Sequence, residues 1–282
     1  MTRQKHREGY RDERGAEPGK EWNEKRKSRR RRNRRKARIR FLASMLGTLL
    51  GAVLLVLVAY TALNLFCGFG KVNAQKLREQ GYPESLIALV ERNPETKDFV
   101  LDYPKYKGLE EIDISKEVTK GEIPHFLQWD ERWGYETYGS DFLAVTGCGP
   151  TSLSMVVCGL TGDTKWNPYE VAKMAEDNGY YVDGSGSSWE LMSSGAEKLG
   201  LTVSNVIFDA EHIRATLESG QPIICVMGPG DFTDAGHFLV LTGVDQEGDI
   251  ILQDPNSVER TKQHWDVQKL MNQMKNLWSY RV

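Results

Sequence analysis

A chain of 282 residues with 40% hydrophobic side chains is long enough for one or two domains with a true core. Its formal net charge of −2 hides a division, because residues 1–40 carry 18 Lys and Arg against 6 Asp and Glu, leaving 19 against 33 in the rest. Four cysteines are too few for a disulfide-built scaffold, and five histidines, one of them His6, leave little material for a histidine-rich metal site. In chain order, residues 1–40 are too polar to bury a core and are expected to form a disordered basic cytoplasmic tail. A run such as "KRKSRRRRNRRKARIR" binds nucleic acid in other settings; beside an apolar span its plainer role is to fix orientation and touch lipid headgroups, so no nucleic-acid partner is assigned.

Residues 41–66, "FLASMLGTLLGAVLLVLVAYTALNLF", carry no charge, and about 20 residues at 1.5 Å rise span a hydrocarbon core of roughly 30 Å. A single transmembrane helix is expected, and the basic block before it keeps the N-terminus inside and sends the acidic body outside. A cleaved signal peptide is the competing reading, with Val72-Asn73-Ala74 as its small-residue site, but the apolar run exceeds the usual 7–15 residues. Either way the acidic part is exported. Cys67 closes the span without the small residues that precede a lipidated cysteine, so it is read as unmodified.

Residues 71–120 read as a mostly helical approach segment packed on the main domain. In "PESLIALVERNP", Pro83 opens a helix whose apolar face is Leu86, Ile87, Leu89 and Val90, and Asn93-Pro94 closes it. Residues 121–282 follow the pattern of a compact α+β domain. Helices are predicted near 148–160, 168–178 and 187–199, the last opened by a Ser187/Glu190 capping box. Strands follow at "LTVSNVIF", "QPIICVM", "HFLVLTGVD", "DIILQD" and "LWSYRV", with helices at "AEHIRATLESG" and near 265–275.

The chain has no H-E-x-x-H, no paired C-x-x-C, no G-x-S-x-G and no P-loop, so no metal or cofactor is assigned. Thiol chemistry remains, and it requires a thiolate, a base and a group that orients the base. In "VTGCGPTSLSM", Cys148 stands at a predicted helix start, where free N–H groups and the macrodipole favour an anion. A buried structural cysteine fits the same pattern, and Cys158 and Cys225 are read as packing thiols. His237 opens the apolar strand "HFLVLTGV". If Val244 faces Asp249 in the hairpin that follows, His237 falls opposite residue 256 and close to residue 254, so either Asp254 or Asn256 is delivered to the imidazole. Trp129, Trp133, Trp166 and Trp189 are read as core or cleft wall, and His125, His212 and His264 as surface or structural.

With "IPHFLQWDERWGYETYG", "GCGPTSLSM", "GHFLVLTGV" and "ILQDPNS" in this order, residues 121–282 resemble the exported bacterial papain-like cysteine peptidases related to the double-glycine (bacteriocin-leader) peptidases. The resemblance implies a papain-like fold with Cys148 as nucleophile, His237 as general base and acid, and Asp254 as the group orienting the imidazole. It also implies a glutamine donor to the oxyanion. Gln128 is the candidate, 20 residues before Cys148, and the stretch between them must loop out to bring it back. The expected function is hydrolysis of a peptide or isopeptide bond by a membrane-anchored, extracytoplasmic enzyme. A cell-wall amidase or endopeptidase with the same Cys/His pair, and a catalytically silent peptide-binding module, are the alternatives.

Overall fold

The computed structural model describes residues 18–68 and 72–282, and the chain divides into two compact units between residues 70 and 71. In the first unit, α1 (Pro18–Gly68) is a continuous helix of 51 residues. It holds the one helix among the described residues that is long and apolar enough to cross a membrane. Its helical structure takes in residues 18–40, where a disordered tail was expected. Lys and Arg are good helix formers, and the apolar stretch beyond them lets the helix propagate back. The rest of that expectation, residues 1–17, and the side chain of Cys67 lie outside what is described.

The second unit opens with three short helices, α2 (Ala74–Glu79), α3 (Glu84–Arg92) and α4 (Lys97–Asp102). Asn73, in the sequence considered as a cleavage site, caps α2 through a bond from Lys76 N–H. As the periodicity predicts, α3 buries Leu86, Ile87, Leu89 and Val90. With Leu77, Phe99 and Val100 they form a cluster that closes on Tyr135 and Ala144.

A two-residue hairpin, β1 (Thr137–Tyr138) with β2 (Asp141–Phe142), and a single turn, α5 (Leu143–Thr146), lead into α6 (Cys148–Thr161). Next come α7 (Pro168–Asp177), capped by Asn167, and a second small hairpin of β3 (Tyr181–Val182) with β4 (Gly186–Ser187). The helix expected over 187–199 is not continuous. A 3₁₀ turn covers Trp189–Met192, and α8 (Ser194–Lys198) starts after a break at Ser193. The Ser187/Glu190 capping box does not form, because Ser187 pairs with Tyr181 in the hairpin and its hydroxyl meets the Tyr138 hydroxyl at 2.8 Å.

The remaining strands are β5 (Thr202–Asn205), β6 (Ile223–Met227), β7 (His237–Val244), β8 (Ile250–Gln253) and β9 (Met274–Arg281), with α9 (Ala210–Glu218) between β5 and β6. The helix expected near 265–275 is shortened to a single turn, α11 (Val267–Met271), and another single turn, α10 (Val258–Thr261), stands before that range. All pairings are antiparallel, in the order β5-β9-β6-β7-β8. The last strand thus inserts between β5 and β6.

Alternation explains why "PIICVM" and "FLVL" are apolar throughout. Ile224, Val226, Phe238 and Val240 join the cluster built on α6 and α7, and Ile223, Cys225, Leu239 and Leu241 join the one under α9 and α11. The domain is therefore a mixed α and β fold in which a sheet is covered on both faces and α6 lies along the sheet that carries β7.

Candidate active site

Cys148 is the first residue of α6 and is only partly exposed, while Gly149 to Gly159 behind it are buried. The glycines on either side admit no side chain. A Cβ on Gly147 would overlap the Leu143 carbonyl, and one on Gly149 would overlap the Ser187 hydroxyl. Tight packing of the α5 turn and the β4 strand against these backbones holds the thiol at the helix tip. Burial pushes the Cys148 thiol up. The hydrogen bond and charge of His237, with the N–H groups of Phe238 and Gly149, outweigh it and bring the thiol below its ordinary value of 9.0. The other two thiols behave oppositely. Cys158, packed against the Trp166 carbonyl, is pushed up to about 12 by burial, and Cys225, inside the second cluster, is raised as well.

His237 starts β7, pairs with Met227 of β6, and is buried. Its Nε2–H donates to Asp254 Oδ1 at 2.7 Å, which leaves Nδ1 as the ring nitrogen for Cys148. Burial opposes the imidazolium. The Asp254 carboxylate and the Cys148 sulfur favour it more strongly, so His237 is raised above its ordinary 6.5.

Asp254 follows β8 and is fully buried. Besides His237, Oδ1 accepts the Asn256 N–H at 2.8 Å, and Oδ2 accepts Arg260 Nε–H at 2.5 Å. Burial would raise this carboxyl, yet His237 and Arg260 hold it down to about 2. The hairpin reaches this geometry by an indirect route. Val244 pairs with Ile250 rather than with Asp249, and an irregularity between Leu241 and Gly243 restores the expected register by Val240↔Gln253. Asn256, the other candidate to orient the ring, instead accepts from Asn93 through its side chain.

Gln128 is also buried. Its Nε2–H donates to the Ala144 carbonyl at 2.7 Å, four residues before Cys148, and its backbone N–H donates to the Pro255 carbonyl at 2.7 Å, next to Asp254. The stretch from 129 to 147 loops out through the β1–β2 hairpin, as that placement demands. Three neighbours went unsuspected in the sequence: Arg260; Thr261, whose hydroxyl accepts the Asp254 N–H; and His125, whose Nε2–H donates to the Asp254 carbonyl at 2.8 Å. Burial lowers His125, which favours the neutral ring. No periodicity marks these residues, and His125, although inside "IPHFLQWDERWGYETYG", carries no signal that points to Asp254. Among the described residues no group of three or more His, Cys, Asp or Glu could hold a metal ion.

A helix-tip thiol beside a strand-borne imidazole supplies the parts that thiol-based acyl transfer requires. The sequence model of the Peptidase_C39 like family matches residues 120–282, more than half of the chain, and the chain belongs to that family. Among solved structures it is similar to the crystal structure of the peptidase domain of Streptococcus ComA, a bi-functional ABC transporter involved in a quorum sensing pathway. The two are 21% identical with a TM-score of 0.37, over 48% of this chain and 89% of that one. No curated protein matches the chain.

Proposed function

We propose that the protein is a membrane-anchored, extracytoplasmic cysteine peptidase that hydrolyses peptide or isopeptide bonds with Cys148, His237 and Asp254. The observation that carries this reading is the His237 ring, bound through Nε2 to a buried carboxylate and interacting with Cys148 on its other side. The Cys148 thiolate attacks the carbonyl carbon and the imidazolium is retained. Charge developing on the carbonyl oxygen is met by the Cys148 N–H and by Gln128, whose second Nε2 hydrogen is not used by Ala144. Protonated His237 gives its proton to the leaving amine as the tetrahedral adduct collapses. Neutral His237 then takes a proton from water as the water oxygen attacks the thioester carbon, and collapse of that adduct breaks the C–S bond, releases the carboxylic acid and restores the Cys148 thiolate beside the His237 imidazolium.

Membrane anchoring is supported by the long apolar helix and the Lys/Arg block at its N-terminal end, which favours a cytoplasmic N-terminus. The testing experiment incubates the purified full chain with a peptide panel and with peptidoglycan, alongside Cys148→Ser. Hydrolysis of a peptide amide that the variant loses supports the reading, cleavage of peptidoglycan alone moves it to the cell-wall alternative, and no hydrolysis of either overturns it. In intact cells, added protease is expected to digest the 121–282 domain; its protection would overturn the extracytoplasmic placement.

A further inference from the structure

We propose that Asn93 and Glu95 are positioning residues for Asp254, so that the approach segment is a working part of the site. This rests on the catalytic reading above. Both residues precede residue 120, where the family match begins.

Asn93 ends α3 and is buried. Its Nδ2–H groups donate to the Asn256 carbonyl at 2.6 Å and to Asn256 Oδ1 at 3.1 Å, while its own Oδ1 accepts the Glu95 N–H at 3.1 Å. One residue is thereby fixed to the next turn and to a loop 163 positions away. The Glu95 carboxylate accepts from the Ser257 hydroxyl, from Val258 N–H at 2.8 Å and from Glu259 N–H at 3.2 Å. These are the first groups of α10, a single turn too short to be stable by itself.

The two anchors converge on the two carboxylate oxygens. Asn256, held by Asn93, supplies the N–H that binds Asp254 Oδ1, the oxygen that also accepts His237. The α10 turn, held by Glu95, carries Arg260, which binds Oδ2 at 2.5 Å, and Thr261, which accepts the Asp254 N–H at 2.9 Å. The charged and titratable groups facing Asp254 are therefore His237 from β7, Arg260 from α10, His125 on its carbonyl and the Cys225 thiol from β6, and Arg260 reaches it from an element that Glu95 caps. Docking of the segment does not depend on these polar contacts, because Leu86, Ile87 and Phe99 already bury against Tyr135 and Ala144. Asn93 and Glu95 supply direction where the apolar face supplies adhesion.

The test uses the full chain in detergent, since iodoacetamide needs no identified substrate. Cys148, Cys158 and Cys225 alkylation rates are mapped by mass spectrometry between pH 5 and 10 for wild type, Asn93→Ala, Glu95→Ala, Glu95→Gln and the packing control Leu86→Ala. The expected result is selective labelling of Cys148 in wild type and, at pH 6, about a tenfold slower Cys148 rate in Asn93→Ala and Glu95→Ala. Their acid limbs should move to higher pH. Glu95→Gln, which still accepts one bond, recovers most of the rate, and Leu86→Ala lowers the melting temperature while keeping the wild-type profile. Two results overturn the inference: profiles of Asn93→Ala and Glu95→Ala that overlay wild type, or a loss that Leu86→Ala shares in proportion to melting temperature. Wild-type Cys148 labelling no faster than the other two thiols sinks the catalytic reading and this inference with it, and is told apart because it needs no variant.

Discussion

Replacing Asp254 with Asn separates the two jobs that this carboxylate does. The side chain is fully buried and bonds His237 at 2.7 Å and Arg260 at 2.5 Å, while the Arg260 side chain is 23% exposed. An amide can offer its oxygen to the His237 Nε2–H, but its NH₂ then faces Arg260 Nε–H, donor against donor. Removing one partner of a buried ion pair costs about 3–5 kcal/mol, and the residual exposure of Arg260 puts this case near the lower end, at about 3 kcal/mol. At roughly 2–4 °C per kcal/mol for a unit of this size, the melting temperature should fall by about 6–12 °C. The loss of one charge-assisted hydrogen bond, about 1.5–3 kcal/mol, should also slow Cys148 alkylation at neutral pH by roughly tenfold to a hundredfold. The double variant Asp254→Asn/Arg260→Met has no unpaired cation, so differential scanning fluorimetry should show at least half of the stability restored while the alkylation rate stays low. If the single variant melts within about 2 °C of wild type and labels Cys148 equally fast, Asp254 holds neither the ring nor the guanidinium, and the reasoning fails.

The pH dependence follows from the same contacts. The thiolate–imidazolium pair forms as pH rises through the depressed Cys148 value and loses its acid as pH rises through the raised His237 value of about 10, so hydrolysis should be bell-shaped while alkylation shows the acid limb alone, with His237→Ala losing the acid-side reactivity. For stability, the raised His237 contributes fully below 6.5 and loses its contribution between there and about 10. The depressed Asp254 contributes above 3.8 and loses it as pH falls towards about 2; a melting-temperature difference between wild type and Asp254→Asn that fails to narrow below pH 3.8 would contradict this. Gln128→Ala should lower kcat on a panel peptide by about 10²–10³ with little change in KM, as expected for a donor that acts on the transition state; an unchanged kcat removes Gln128 from the oxyanion role. Gly149→Ala drives a methyl into the Ser187 hydroxyl and should cost about 1–3 kcal/mol, largely restored by Ser187→Gly; a stable Gly149→Ala would show that the β4 strand does not press on the helix tip.

What the sequence made legible was local or carried by a short hairpin. The α3 face of Leu86, Ile87, Leu89 and Val90 follows from helical period alone, and the meeting of His237 with Asp254 follows from strand pairing across a tight turn. Even there the route differed from the expectation. The turn pairs Val244 with Ile250, and only the irregularity near Thr242 returns the register that puts Asp254 under the ring, a compensation that no alternation pattern encodes. Ser187 was misread because its capping signal is local, whereas Tyr138, 49 positions away, and the pairing with Tyr181 decide where it goes. The same asymmetry hides Arg260, His125, Asn93 and Glu95, whose partners lie 6 to 164 positions off and whose types are ordinary for turns and helix ends. Those residues share one property: each either ends on Asp254 or holds a residue that does. A buried carboxylate must have every oxygen satisfied to stay ionised, and here His237, Asn256 and Arg260 meet that demand. The acid is therefore the member of the site whose environment is least visible in one dimension.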